Sequence, residues 1–150
     1  MPNNLELQGF LLFTHYRLFT NEEAALRLPP VSDLHKAFIL GAGLGTRLRP
    51  LTENLPKPLI PYYHEALVHQ ALGHCMAAGI DSFAINTHHH AEEWQLAFPE
   101  HKFGDATLDF FHEPVLLETG GGIKNIAHWI GDEPILIYNG DILTDLDLRG

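Results

Sequence analysis

The stretch that decides the fold runs from Leu40 to Pro61 and has the sequence LGAGLGTRLRPLTENLPKPLIP. It begins at the end of the short apolar run KAFILG at positions 36–41, which predicts a buried strand. Prolines then recur at positions 50, 56, 58 and 61. They exclude a continuous helix, because proline lacks the N–H donor and restricts the residue before it. The stretch therefore predicts a long ordered loop after a strand, and such loops are usually functional.

Strand-like runs alternate with helical patterns in the rest of the chain. The predicted strands are SFAINT at 82–87, ATLDFFHE at 106–113 and PILIYNGD at 134–141. The predicted helices lie within HEALVHQALGHCMAAG at 64–79, AEEWQLAF at 91–98 and GGGIKNIAHWIG at 120–131. This alternation is typical of crossover units, so the predicted fold class is α/β, with a Rossmann-like parallel sheet covered by helices on both faces.

The first 35 residues do not follow this alternation, so we divide the chain into an N-terminal extension, 1–35, and one domain, 36–150. Within the extension, NEEAALRL at 21–28 predicts a short helix, and the two prolines at 29 and 30 predict a break before the first strand. The extension is interpreted either as a segment that packs on the domain or is partly disordered, or as a partner-binding or regulatory arm.

Composition limits the classes of partner. The net charge of -10 argues against a nucleic-acid partner, since binding to nucleic acid needs a basic face. No apolar run approaches the roughly 20 residues of a membrane span, and we find no signal-peptide pattern, so we expect no membrane partner and a cytoplasmic location. The single cysteine, Cys75, cannot form an internal disulfide and is predicted to be a small buried hydrophobe.

The glycines of the long loop predict an anion site. A dinucleotide fingerprint would need glycines at Gly41, Gly43 and position 46, but the last is Thr46, and no Gly-Lys-Ser/Thr follows at the spacing of a phosphate-binding P-loop. Glycines nevertheless allow backbone amides to approach an anion, and Arg47 and Lys57 in the same loop could neutralise it. The loop therefore predicts a polyphosphate site.

In residue types and spacing, GAGLGTRLRPLTENLPKPLIP closely resembles the signature of the sugar-1-phosphate nucleotidyltransferases. The resemblance implies a glycosyltransferase-A-like nucleotidyltransferase fold with a parallel or mixed sheet. It also implies condensation of a nucleoside triphosphate with a sugar 1-phosphate to give a nucleotide-sugar and pyrophosphate. It implies that Arg47 contacts the phosphates being released and that Lys57 reaches the α-phosphate and the sugar phosphate. The remaining loop residues that it implies in nucleotide binding are Leu40, Ala42, Gly43, Gly45 and Thr46.

The acidic segment YNGDILTD places Asp141 at the carboxyl end of a predicted buried strand, on the same rim as the glycine loop. Mg²⁺ takes oxygen ligands, and one carboxylate together with substrate phosphates is a sufficient start for a site. In the resembled family the aspartate of this segment binds the metal, and that role maps onto Asp141. Asn139, two residues earlier, points to the same side of the strand and is either a sugar contact or a local turn partner. Asn86, at another strand end, is a second candidate for contact with the sugar.

The second glycine cluster, ETGGGI at 118–123, opens a predicted helix that its glycines would weaken. Close approach of the backbone to a neighbour is therefore expected here. In the resembled family this loop runs under the nucleobase, and Gly120 and Gly121 are the candidates for that contact. ETGGG and NGDILTD are most similar to the N-acetylmuramate-1-phosphate uridylyltransferases of cell-wall recycling, and next to guanylyl- and thymidylyltransferases. UTP is therefore the favoured triphosphate.

The histidine run and the two tryptophans are interpreted without additional ligand sites. The run THHH at 87–90 is a poor metal site, because consecutive residues of a strand point to opposite faces, so we interpret the imidazoles as surface or site-lining groups. Trp94 and Trp129 lie at helical spacing among apolar residues and are predicted to be core residues.

The resemblance covers roughly Ala37 to Leu148. Members of the family normally continue further, with more sheet, much of the sugar pocket and a second metal-binding aspartate, so we expect this chain to be C-terminally incomplete. Two hypotheses stay open. The chain is a nucleotidyltransferase or the nucleotide-binding part of one, or it is a non-catalytic nucleotide-binding or regulatory module. The sequence gives no prediction of oligomeric state.

Overall fold

The computed structural model describes residues 10–13 and 30–149. The strands are β1 Phe10–Phe13, β2 Lys36–Leu40, β3 Pro61–Tyr62, β4 Glu65–Ala66, β5 Ser82–Thr87, β6 Lys102–Phe103, β7 Ala106–His112 and β8 Ile135–Asn139. The helices are α1 Leu67–Ala77, α2 Ala91–Ala97, α3 Glu118–Asn125 and α4 Ala127–Ile130. Short 3-10 turns lie at Val31–Asp33, Thr46–Leu48 and Lys57–Leu59.

The principal sheet has the strand order β1-β8-β2-β5-β7-β6. Strands β8, β2, β5 and β7 are parallel, whereas β1 and β6 pair antiparallel at the two edges. In the centre Phe38 is paired with Ala84 on one side and with Ile137 on the other. The predicted α/β class with a parallel or mixed sheet is therefore confirmed.

Side chains alternate along the central strands, so each face of the sheet supports its own core. One core contains Ala37, Ile39, Phe83 and Ile85 together with buried residues of α1 and α2. The other contains Phe38, Ala84 and Ile137 together with Ile126, directly before α4, and Ile130 at its end. The prediction of helices on both faces is confirmed, and both cores hold the carboxyl ends of the strands in fixed positions.

Helix α1 buries Val68, Ala71, Leu72 and Cys75, which recur at helical spacing along one face. Burial raises the pKa of the Cys75 thiol to about 12, so this cysteine is an inert core group, as predicted. The helix begins at Leu67 rather than earlier, because the preceding residues form the two-stranded hairpin of β3 and β4.

The two tryptophans differ in their environment. Trp94 is fully buried and stacks against Phe98, so its core position is confirmed. Trp129 is only partly buried, and its indole N–H donates to Asp109 at 2.9 Å. The ring of Trp129 also covers the ammonium group of Lys36, which lies 5.3 Å from the ring centroid. The core prediction therefore holds only in part for Trp129.

Part of the N-terminal extension contacts the domain. Strand β1 lies along β8, with Phe10 opposite Tyr138 and Phe13 opposite Ile135. Leu34, just before β2, is buried in the core formed with α1. The helix predicted at 21–28 lies outside the described residues. Among residues 10–13 and 30–149, no helix is long and apolar enough to cross a membrane.

Candidate functional site

A cleft of about 250 Å³ lies at the carboxyl ends of β2, β5 and β8. Ligands of open α/β sheets bind in this position, because the loops that follow parallel strands meet there. Its lining residues are Leu40, Gly41, Ala42, Gly43, Lys57, Pro58, Asn86, Leu116, Glu118, Thr119, Asn139 and Asp141.

Most of the predicted site residues meet in this cleft. The residues that the sequence singled out and that line it are Leu40, Ala42, Gly43, Lys57, Asn86, Asn139 and Asp141. The other five, Gly45, Thr46, Arg47, Gly120 and Gly121, lie outside its lining. Arg47 sits exposed in the 3-10 turn that follows the glycines. The lining residues that sequence reasoning missed are Gly41, Pro58, Leu116, Glu118 and Thr119.

Gly45 gives the glycine loop its shape. Its φ of 62° and ψ of 15° lie in the left-handed region, and the 3-10 turn Thr46–Leu48 begins directly after it. The hydroxyl of buried Thr52 donates to the carbonyl of Gly45 at 2.7 Å, and a Cβ at Gly45 would lie only 2.7 Å from Thr52 Cγ2. Gly43, in contrast, has open space where its Cβ would be. The loop is thus fixed at Gly45 and leaves the backbone of Gly43 accessible from the cleft.

The three consecutive histidines contact the loops around the cleft. Nδ1 of His88 lies 2.6 Å from the carbonyl oxygen of Glu113. Nε2 of His89 lies 3.3 Å from the carbonyl of Thr52, and Nε2 of His90 lies 2.8 Å from that of Glu53. The imidazoles of His89 and His90 therefore hold the long loop through its carbonyls, and that of His88 holds the loop after β7.

His90 makes the stability of this contact with the long loop depend on pH. The carbonyl of Glu53, followed by the carboxylate of Glu92, raises the pKa of His90 above its ordinary value. A raised pKa in the folded state gives stability that is fully present below the unfolded pKa of about 6.5 and is lost as pH rises through the folded value. We expect the His90→Gln variant to lose free energy of unfolding relative to wild type at pH 5.5, and less at pH 8.5.

Urea unfolding at several pH values checks this expectation for His90. The matched control is His64→Gln, which changes an exposed histidine in the turn between β3 and β4. A difference between wild type and His90→Gln that stays constant from pH 5.5 to 8.5 would contradict the expectation.

Lys57 and Asp141 form an ion pair at one side of the cleft. The distance between Lys57 Nζ and Asp141 Oδ2 is 2.5 Å, and both side chains are about one third exposed. Lys57 opens the 3-10 turn Lys57–Leu59, in which Pro58 and Leu59 are buried, so the base of its side chain is firmly placed. Asp141 follows β8 by two residues. A cation and a carboxylate thus face the same space, and each is available to a charged ligand that separates them.

A buried hydrogen-bond network lies beneath the cleft. Oδ1 of Asn86 accepts from the backbone N–H of Gly41 at 2.8 Å and of Ala42 at 3.3 Å. Nδ2 of Asn86 donates to Oε1 of Glu113 at 2.9 Å. Oε2 of Glu113 accepts from the backbone N–H of Leu117 at 3.0 Å. Contact of Asn86 with a sugar stays a prediction, since most of its carboxamide is engaged with the protein.

Sequence reasoning missed Glu113, which is fully buried. The available signal was its position, because a carboxylate at the carboxyl end of a predicted strand, and five residues before ETGGG, lies on the rim of the site. The strand pattern alone assigns Glu113 no role in the site.

Helix α3 contains the second glycine cluster, and its close approach occurs at Gly122. A Cβ at Gly122 would lie 3.0 Å from Glu113 Oε1 and 3.3 Å from Asn86 Nδ2. Gly120 has open space at the same position and is exposed. The roles of Gly120 and Gly121 in base contact stay predictions.

A larger hollow of about 790 Å³ lies between α1, the β3–β4 hairpin and the segment after β8. Its titratable lining residues are Tyr62, Glu65, His69, His74, Tyr138 and Asp145. Two carboxylates without a lysine or arginine make it unsuitable for a polyphosphate, so the smaller cleft is the better candidate for an anionic ligand.

Comparison with known proteins identifies a family for most of the chain. Residues 36–150 match the family model described as nucleotidyl transferase. The chain is 39% identical over 118 residues to N-acetylmuramate alpha-1-phosphate uridylyltransferase from Neisseria meningitidis serogroup B, covering 75% of this chain and 49% of the relative. It is 35% identical over 117 residues to mannose-1-phosphate guanylyltransferase from Mycobacterium tuberculosis, covering 75% of this chain and 31% of that relative.

The fold also matches solved structures. HddC from Yersinia pseudotuberculosis, complexed with GMP-PN, has a TM-score of 0.67 at 25% identity, covering 76% of this chain and 51% of that one. A UDP-glucose pyrophosphorylase complexed with UDP-glucose has a TM-score of 0.65 at 22% identity, covering 77% and 51%. The chain thus spans about one third to one half of the length of the proteins that it matches.

Proposed function

Since the chain belongs to the nucleotidyl transferase family, we propose that it is the nucleotide-binding part of a sugar-1-phosphate nucleotidyltransferase. In the proposed reaction, a phosphate oxygen of the sugar 1-phosphate attacks the α-phosphorus of a nucleoside triphosphate. The bond from that phosphorus to the bridging oxygen breaks, and pyrophosphate leaves. The observation that carries the proposal is a single cleft that brings together the glycine loop, Lys57 and Asp141.

The cleft suits this chemistry because charge develops on phosphoryl oxygens and must be met by fixed donors. The exposed backbone at Gly43 leaves open space in which the triphosphate can approach the loop, and Lys57 is a compact cation for the α-phosphate and the incoming sugar phosphate. Arg47, on the adjacent turn, offers a planar fork for the phosphates that leave. Thr46 and Gly45 present the turn that carries Arg47. Asn86 and Asn139, both in the lining, are the proposed polar groups on the sugar side.

The donor set fits a divalent cation such as Mg²⁺ when substrate is present. Among the described residues, no group of three or more His, Cys, Asp and Glu side chains could hold a metal by itself. Asp141 offers one carboxylate on the cleft, and substrate phosphates would complete the ligand set, as is usual for Mg²⁺. When bound, the ion would neutralise charge on the phosphates.

We propose UTP as the triphosphate and N-acetylmuramate 1-phosphate as the sugar substrate, which places the protein in cell-wall metabolism. The support is the identity to the Neisseria relative and the form of the ETGGG segment, beside which Gly120 and Gly121 would read the base. The proposed location is the cytoplasm, where nucleoside triphosphates are available. Guanylyl or thymidylyl transfer is the second candidate, because the mycobacterial relative is named a guanylyltransferase.

A non-catalytic nucleotide-binding or regulatory module is the alternative in a different class. Such a module would need only the phosphate-binding cleft, whose described lining contains Asp141 as its one aspartate. We also propose the domain assignment in which residues 1–35 are an N-terminal extension and residues 36–150 are the nucleotide-binding part.

Binding and turnover separate these functions. We expect calorimetry to show Mg²⁺-dependent binding of UTP that is stronger than that of GTP or dTTP. Pyrophosphate release is then measured with each triphosphate and a panel of sugar 1-phosphates. Binding without turnover for every pair favours the module, and clear heat with a dinucleotide but none with any triphosphate would refute the proposed nucleotide site.

A further inference from the structure

The glycine loop and the start of α3 are joined by one path of buried hydrogen bonds. The path runs from the backbone N–H of Gly41 to Asn86, from Asn86 to Glu113, and from Glu113 to the backbone N–H of Leu117. Leu117 directly precedes α3. The segments at the two ends are those proposed to hold the triphosphate and the base.

Burying the polar groups of this network costs free energy unless each of them is hydrogen-bonded. Glu113 is fully buried, Asn86 is 5% exposed, and the structure shows no ion pair of Glu113 with a lysine, arginine or histidine among the described residues. A buried carboxylate that is held only by neutral donors must be matched closely by them, because the low dielectric penalises each missing hydrogen bond. In some proteins such groups fix one arrangement among several alternatives.

The surrounding chain is built to accommodate the network. Gly122 allows α3 to approach, since a Cβ there would lie 3.0 Å from Glu113 Oε1. The backbone of Glu113 is itself held at both polar groups, because its N–H donates to the carbonyl of Thr87 at 2.7 Å and its carbonyl contacts His88 at 2.6 Å. The carboxylate therefore projects from a fixed backbone position and holds Asn86 and the amide of Leu117 in a set geometry.

We propose that Asn86 and Glu113 are positioning residues of the nucleotide site, which hold the glycine loop and the start of α3 in one fixed relative placement. Phosphate binding at the glycine loop then stabilises the hydrogen bond of the Leu117 amide, on the base side of the cleft. This inference rests on the proposed function, since it takes the cleft to be a nucleotide site.

Reversal of the hydrogen-bond polarity tests the proposal. In Asn86→Asp, two carboxylates face each other where one donor and one acceptor now lie 2.9 Å apart. In Glu113→Gln, the new carboxamide cannot accept from both Asn86 and Leu117. In the double variant, the carboxylate at position 86 still accepts from Gly41, and the carboxamide at position 113 donates to it while accepting from Leu117. The double variant also keeps the total charge of wild type.

The ligands are UTP and inorganic tripolyphosphate, which lacks a base, and the readouts are affinity by calorimetry and hydrogen exchange of the Leu117 amide. In wild type we expect tripolyphosphate to slow exchange at Leu117. Each single variant should bind both ligands about tenfold more weakly, the scale of one unsatisfied buried group, and should lose the slowing. The double variant should recover both properties. Asn125→Asp is the control, because it adds the same charge at an exposed position of α3.

Thermal unfolding identifies variants that are folded at the assay temperature, and Glu113→Gln, the milder change, is the deciding single variant if Asn86→Asp is unfolded. A folded single variant with wild-type affinity and wild-type slowing would overturn the proposal, as would a double variant no better than the singles. Failure of wild type itself to bind either ligand would refute the proposed function and this inference together. Binding by wild type with no difference among variants would refute this inference alone.

Discussion

The Lys57→Met variant is expected to bind the triphosphate about 10- to 150-fold more weakly than wild type, a loss of about 1.5–3 kcal/mol. The ammonium group is the single lysine in the lining of the cleft, and a charge-assisted hydrogen bond to phosphate has this magnitude. Methionine keeps the length of the side chain, so the apolar stem beside the 3-10 turn is preserved.

The same substitution should act differently on a divalent cation. Lys57 neutralises Asp141 in the free protein, so its removal takes away a competitor for that carboxylate. Mn²⁺ alone is therefore expected to bind Lys57→Met at least as tightly as wild type, although UTP binds more weakly. Lys102→Met, in the exposed edge strand β6, is the matched control. Calorimetry that shows unchanged UTP affinity, or equal weakening of Mn²⁺ and UTP, would place the phosphate contact elsewhere.

The Gly41→Ala variant is expected to lose about 1–3 kcal/mol of free energy of unfolding, because added volume in a tightly packed region forces the backbone to shift. The new Cβ would lie 2.7 Å from the carbonyl oxygen of Asn86 and 2.9 Å from Trp94 Cζ2. Neither is the flexible end of a side chain, since one is backbone and the other is a buried ring. Urea unfolding followed by circular dichroism measures the change.

Gly43→Ala is the matched control two residues further along the loop. Its Cβ would have no atom within 4 Å, so the free energy of unfolding should stay within about 0.5 kcal/mol of wild type. The methyl group would instead project beside the cleft, and UTP affinity should fall. Equal stability of Gly41→Ala and wild type would show that the loop can move away from β5 without cost.

Local patterns predicted the central fold well. Compact apolar runs gave β2, β5, β7 and β8, because a buried strand needs apolar residues on both of its faces. The edge strand β6 and the β3–β4 hairpin were not predicted, since two-residue strands have too short a pattern to detect. Strand β1 was also missed, as its pairing with β8 joins segments far apart in the chain.

The candidate site was predicted in its residue types rather than in its contacts. The spacing in LGAGLGTRLRPLTENLPKPLIP singled out Lys57, and the end of PILIYNGD singled out Asp141. Their direct pairing could not be read from either segment, because 84 positions separate them in the sequence. For ETGGG, the pattern indicated a close backbone approach but not that Gly122 is the glycine that makes it.

By itself, therefore, the sequence determined the order of the four central strands with the helices between them and the family signature of the loop, since both are written in local spacing. Only the tertiary structure decided which groups meet. The parallel strands bring the ends of β2, β5, β7 and β8 to one rim. There Asn86 accepts hydrogen bonds from the amides of Gly41 and Ala42, and Glu113 links Asn86 to Leu117 at the start of α3. Hydrogen bonds between residues 27 and 45 positions apart depend on that register, which no local pattern contains.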